Sequence, residues 1–187
     1  MAITGRSLRD AAENFRGHIN RVLAQTVTRT PVFVIPAEET HRIQVAFRLP
    51  GQPAGPQLVT GFGRIRVYLG QVCESERRAD GRHELRTVEY RYYLTPEGAE
   101  QPLLRWEYIR APEAGALWCR HHLQGPMNLP LPGHVVSLND LHLPTGYVAF
   151  EEVLRFCIVD LGVRPLSDAW DGILRDSYER FKTEFTQ

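Results

Sequence analysis

Lysine is almost absent from this 187-residue chain: of its 22 basic residues, only Lys182 is not an arginine. A single lysine argues against lysine-dependent nucleophilic chemistry. The arginine bias has two readings, codon usage in a GC-rich genome or arginine-rich nucleic-acid binding. The 22 acidic residues bring the formal charge to zero, so composition alone does not separate them. Cysteine is scarce too. Cys73, Cys119 and Cys157 are far apart, with no C-x-x-C pair and no zinc spacing. They read as small buried hydrophobes in a reducing compartment rather than a disulfide framework. No apolar run approaches the roughly 18 residues of a membrane span. Met1–Gly5 leads directly into a polar amphipathic segment, so no secretory signal is expected and the expected location is the cytoplasm. Phosphate-loop motifs are missing as well. Gly61–Arg66 contains G-x-G but no third glycine, and a strand rather than a helix is expected after it. There is no G-x-S-x-G and no H-E-x-x-H.

What is present reads as a single α+β domain over residues 1–187. Leu8, Ala11, Ala12, Phe15, Ile19, Val22 and Leu23 recur at helical spacing, with Ser7 as N-cap. Strands are expected at Val32–Ile35, His41–Leu49, Arg64–Glu76, Leu85–Leu94, Leu103–Arg110 and Ala116–Leu123, with a short one within His134–Leu143. Gly70 is read as a bulge or turn, Arg78–Gly81 as a hairpin turn, and Pro50–Pro56 and Gly125–Gly133 as irregular connections. Two helices finish the chain. One has Phe150, Val153, Leu154, Cys157 and Leu161 inward and stops at Gly162. The other has Ser167 as candidate cap and Trp170, Ile173, Leu174, Phe181 and Phe185 inward. The expected fold is a five- or six-stranded curved antiparallel sheet, with one N-terminal and two C-terminal helices packed on one face.

Alternation gives the other face a composition of its own. Arg42, Arg48, Arg64, Arg66, Arg91, Arg105 and Arg120 fall on it, with Tyr68, Tyr93, Trp118 and His122, against Glu89 and Glu107. Arginine with interleaved aromatics suits phosphates and stacked bases. A solvated face of cross-strand ion pairs gives the same pattern, and so does a face covered by an acidic partner. Acidic residues concentrate in the C-terminal third. Of the seven histidines, His121 and His122 are neighbours on one strand and point to opposite faces, His121 toward the core and His122 toward the polar side. A zinc site from His121, His134 and His142 is conceivable but lacks a recognisable spacing. No metal and no cofactor are expected.

The order of features over residues 63–124 resembles the TumE family of toxin–antitoxin toxins. Gly70–Glu76 (GQVCESE) is followed by Val88–Leu94 (VEYRYYL), Leu103–Tyr108 (LLRWEY), Ala111–Pro112 and Arg120–His122 (RHH). Glu107 stands where that family's pattern has Asp, and the D-N pair and P-H-H-K-H segment are replaced. Leu141–Gly146 (LHLPTG) with Phe150–Asp160 is similar to uncharacterised actinobacterial proteins. The resemblance implies a bacterial toxin or defence-system component acting on RNA or DNA, with an antitoxin or other protein partner. Its catalytic candidates are His121, His122, Glu107 and Arg105. The competing expectation is a non-enzymatic module whose sheet face or acidic helices bind a protein. No membrane association is expected.

Overall fold

Ser7 starts the first helix by accepting the Asp10 amide on its hydroxyl at 3.1 Å. Helix α1 then runs Leu8–Thr26, and its stripe of Ala11, Ala12, Phe15, Ile19, Val22 and Leu23 is buried. Each of the larger side chains contributes roughly 1.5–3 kcal/mol by leaving water. The computed structural model describes residues 3–36, 41–48, 55–111, 119–139 and 141–181. Trp118, Lys182, Phe185 and most of the Pro50–Pro56 connection lie outside them.

The strands, in chain order, are β1 (Thr4–Gly5), β2 (Val32–Pro36), β3 (Arg42–Phe47), β4 (Gln57–Thr60), β5 (Gly63–Arg77), β6 (His83–Pro96), β7 (Leu104–Ile109), β8 (His121–Gln124), β9 (Asn128–Leu131), β10 (His134–Ser137) and β11 (Leu143–Pro144). Helices α2 (Phe150–Val159) and α3 (Trp170–Phe181) follow. Nine strands form one antiparallel sheet in the order β11-β8-β7-β6-β5-β3-β2, with β1 added to β6 and β4 to β5. The curved sheet and its three helices match expectation, but there are nine strands rather than five or six. The three extra strands, β1, β4 and β11, are two to four residues long. Such lengths hold too few alternations to show a period.

Two local readings need correction. Gly125–Gly133 is not wholly irregular: Asn128–Leu131 pairs with His134–Ser137 as a separate two-stranded hairpin. Pro130 is tolerated there because a two-stranded ribbon has only edges. Gly70 is not a bulge, since it keeps register with both Ala46 and Arg91. The irregularity lies two residues on, where Val72 pairs with Glu89 but Cys73 pairs with Thr87. The extra residue, Val88, turns Thr87 to the core side, where its hydroxyl donates to Gln71 Oε1 at 3.0 Å.

Between sheet and helices lies one core of Val45, Val67, Leu69, Tyr92, Leu94, Leu154 and their neighbours. Polar atoms inside it are bonded: Gln71 Nε2 donates to the Tyr92 hydroxyl at 2.8 Å. Cys73 and Cys157 are buried, Cys119 is half-buried, and all three are free thiols. Gly162, with φ of 71°, follows α2 as its stop. Helix α3 packs on α1 and α2. Among the described residues no helix is long and apolar enough to cross a membrane.

Candidate functional site

The face of the sheet turned away from the helices carries a groove, and register places its residues. Tyr68 on β5 faces Tyr93 on β6, Tyr93 faces Arg105 on β7, Arg91 faces Glu107, and Glu107 faces His122 on β8. Because the pleat alternates, Tyr90, Tyr92 and Leu94 of the same β6 point into the core. Two adjoining depressions result. One of about 280 Å³ is lined by Arg66, Tyr68, Arg91, Tyr93 and Thr95. The other, of about 300 Å³, is lined by Arg91, Tyr93, Glu107, Ile109, His122 and His142. They share Arg91 and Tyr93.

The aromatic end is built on Gly70. A side chain there would put its Cβ 2.7 Å from the Tyr68 hydroxyl oxygen, so the glycine makes room for that ring. Tyr68 then stacks on Tyr93 with centroids 5.5 Å apart and accepts from Gln44 Nε2 at 3.2 Å. Gly70→Ala is expected to displace the Tyr68 ring and cost about 1 kcal/mol. Urea unfolding checks the cost, and an altered near-ultraviolet circular dichroism spectrum checks the displacement.

The polar end is a chain of hydrogen bonds. Tyr93 donates its hydroxyl to Glu107 Oε1 at 2.6 Å. Glu107 Oε2 lies 3.4 Å from His122 Nε2. His122 Nδ1 donates to the Cys119 carbonyl at 3.0 Å, which fixes the ring. Burial pushes the Glu107 carboxyl up, but His122, the Tyr93 hydroxyl and Arg105 outweigh it and hold it down to about 2. Glu107 is therefore an anion throughout the neutral range. Burial, then the bond to that anion, pushes the Tyr93 hydroxyl well above its usual value.

His142 closes this end, its ring 4.8 Å from that of His122. Burial and His122 lower its pKa, against the opposing pull of Glu107. It is exposed and neutral at pH 7. Gln124 Nε2 lies 3.3 Å from both His142 Nε2 and the Asn139 carbonyl. Arg105 Nη2 donates to Asn139 Oδ1 at 3.1 Å, while its buried Nε has no partner among the described residues.

The structure thus brings together Glu107, His122, Arg66, Arg91, Tyr68 and Tyr93, with Arg105 at the edge. His121 stands apart on the helix side, where it stacks on Tyr108 at 4.3 Å and its Nδ1 meets the Tyr90 hydroxyl at 3.1 Å. Burial, then Arg120 and His122, lower its pKa. Arg42 is paired with Glu74 at 2.8 Å and Arg64 with Glu97 at 3.8 Å, acids absent from the sequence reading of this face. Arg48 and Arg120 are exposed and line neither depression. Trp118 lies outside the described residues.

His142 is the site residue that alternation misses, whereas Gln124 falls by alternation on the same side of its strand as His122. His142 is positioned by β11, whose two residues pair with β8 through Leu143↔Leu123 and Pro144↔His122. A strand that short has no period to read. His121 and His142 belong to opposite faces, and among the described residues no cluster of three or more potential ligands is placed to hold a metal.

Fold and groove define an α+β protein with a curved antiparallel sheet, helices on one side and an arginine–tyrosine groove on the other. No protein-family model, no curated protein and no solved structure matches the chain.

Proposed function

We propose that this protein acts on nucleic acid, holding a single strand across the polar face of the sheet, as a toxin-like or defence-system component. The observation that carries the reading is the pair of adjoining depressions sharing Arg91 and Tyr93. One offers stacked tyrosine rings beside Arg66 and the other offers Glu107, His122 and His142. Arg66 has no ion pair among the described residues, and Arg91 meets only Glu89, at 3.4 Å with its side chain 53% exposed. Guanidinium groups in this state are available to phosphates, and the rings to bases. His122, Glu107 and Arg105 remain the candidates for chemistry on the bound strand, and His142 joins them.

The test is binding of a fluorescein-labelled ten-nucleotide RNA, followed by anisotropy at several salt concentrations. Affinity is expected to fall as salt rises, by a log–log slope of about 0.7 per phosphate contact. Arg66→Glu with Arg91→Glu is expected to weaken binding about tenfold or more and to flatten that slope. A toxin role adds that expression of the wild type arrests bacterial growth and that this double variant does not. Binding that ignores salt, or survives the double variant unchanged, removes the reading.

A second reading, a non-enzymatic module for a protein partner such as an antitoxin, draws on a different surface. The Gly61 amide donates to the Leu161 carbonyl at 2.8 Å, which ties the β4–β5 turn to the end of α2. Phe62 on that turn and Val59 of β4 are 83% and 68% exposed, and Val159 of α2 is 62% exposed. Large apolar side chains left this open mark contact surfaces. On this reading a protein complex survives Arg66→Glu with Arg91→Glu.

A further inference from the structure

A basic groove that binds phosphates gains nothing from a carboxylate, yet half-buried Glu107 lines one of its two depressions. The side chain is 18% exposed and ionised at any neutral pH. Among the described residues no arginine forms an ion pair with it: Arg91 meets Glu89, and Arg105 meets Asn139. Among the described residues its contacts are Tyr93 on Oε1 and His122 facing Oε2, while Arg105 acts on its charge without forming an ion pair. A carboxylate has about four acceptor positions, so each oxygen keeps one to offer. The anion repels phosphate and asks for a pair of adjacent hydrogen-bond donors.

We propose that Glu107 reads the Watson–Crick edge of a guanine base in the bound strand, an inference that rests on the nucleic-acid reading above. Guanine alone among the four common bases presents two neighbouring donors, N1–H and the 2-amino group, matched to the two oxygens of a carboxylate. Adenine and cytosine put an acceptor nitrogen beside their amino group, and uracil flanks its single donor with carbonyls. Those acceptors meet the fixed negative charge unfavourably, so the site discriminates by repulsion as well as attraction. Tyr93 and His122, which line the same depression, flank the carboxylate and hold it. The depression of about 300 Å³ lies at the small end of ligand pockets, a size for a base rather than a larger ligand. Arg91, shared with the neighbouring depression, stands where the strand passes from one to the other.

The experiment uses the full chain and labelled uridine ten-mers with one central G, A, C or U, in an RNA series and a DNA series. The G strand is expected to bind about tenfold tighter than the other three, the discrimination of one good bidentate pair. The preference is expected in both series, because the base edge is common to them. Inosine, which lacks the 2-amino group, is expected to lose most of the preference on the unmodified protein, so this arm does not depend on any variant folding. Glu107→Gln, with its fold checked by circular dichroism, is expected to bind the four strands nearly alike. If none of the strands binds, the nucleic-acid reading falls and this inference with it. Four equal affinities overturn the guanine inference and leave the nucleic-acid reading standing. Preference for G that persists with inosine, or in folded Glu107→Gln, also overturns it.

Discussion

Glu151→Gln is expected to remove about 3 kcal/mol of pH dependence from the stability of the fold between pH 4.5 and 7. Glu151 is a carboxyl of α2 buried between helices, 4% exposed. Ser177 of α3 donates its hydroxyl to it, and His18 of α1 has its Nε2 2.7 Å from the same serine oxygen. One serine therefore joins all three helices. Burial pushes the Glu151 carboxyl up to about 7, helped by the charge of Glu152 and opposed by the Ser177 hydroxyl. A group raised in the folded state favours folding fully below its unfolded pKa of about 4.5. That advantage is lost as pH climbs through 7, because the unfolded chain ionises freely and the buried carboxyl does not. His18 works in the opposite direction. Burial, then Arg180 and Arg21, lower its pKa to about 4. Its contribution is present above about 6.5 and lost as pH falls through 4. Urea unfolding of both proteins at pH 5 and pH 8 decides the matter. Between the two the wild type should lose about 3 kcal/mol relative to the glutamine variant, which itself gains stability as His18 sheds its proton in the unfolded chain. Parallel profiles would show that Glu151 keeps an ordinary carboxyl pKa.

Glu107→Gln should change stability with the reverse sign. Here the folded carboxyl is held down to about 2. Its contribution is present above about 4.5 and is lost as pH falls through 2, for a total of about 3 kcal/mol. The variant is expected to be less stable than the wild type by up to this amount at pH 7. Its acid limb between pH 4.5 and 2 should be correspondingly flat. Thermal or urea unfolding at pH 7 and pH 3 measures both. An unchanged acid limb would mean that His122, Tyr93 and Arg105 do not hold the charge. The two carboxyls illustrate one rule: burial dominates where only a hydroxyl and a backbone amide answer it, and loses where a histidine, a tyrosine and an arginine do.

Alternation carried much of the site, because a pleat of period two decides which neighbours share a face. Arg66, Tyr68, Arg91, Tyr93, Glu107 and His122 could be placed together from their positions on four expected strands, and His121 opposite them. Register could not be read in that way. That Glu107 faces His122, and that Arg42 meets Glu74, depends on how strands align, which is a non-local property. Thr87 lies on the core side because Val88 adds one residue to β6, and a bulge leaves no mark on composition. The helix layer hid its polar centre for a related reason. His18, Glu151 and Ser177 occupy inward positions that a hydrophobic stripe treats as gaps, and only packing shows that they meet. His142 needed the two-residue pairing of β11. In each case the missing information was a contact between distant segments.

The long β5–β6 hairpin has a consequence for the order of assembly. Its turn is closed by residues four apart, with the Arg78 amide donating to the Arg82 carbonyl at 2.8 Å, and Gly81 takes the φ of 79° that the turn requires. From there pairing can zip outward as far as Ile65 and Pro96 without closing any new loop. Most other strands and all three helices must cross tens of residues to reach it, at the entropic cost of loop closure. The hairpin is therefore expected to form early. Substitutions along it should slow folding, whereas those in α3 should chiefly hasten unfolding. The groove, whose shared Arg91 and Tyr93 lie on this hairpin, is then begun by the first structure to form and completed by the last strand, β11, to dock.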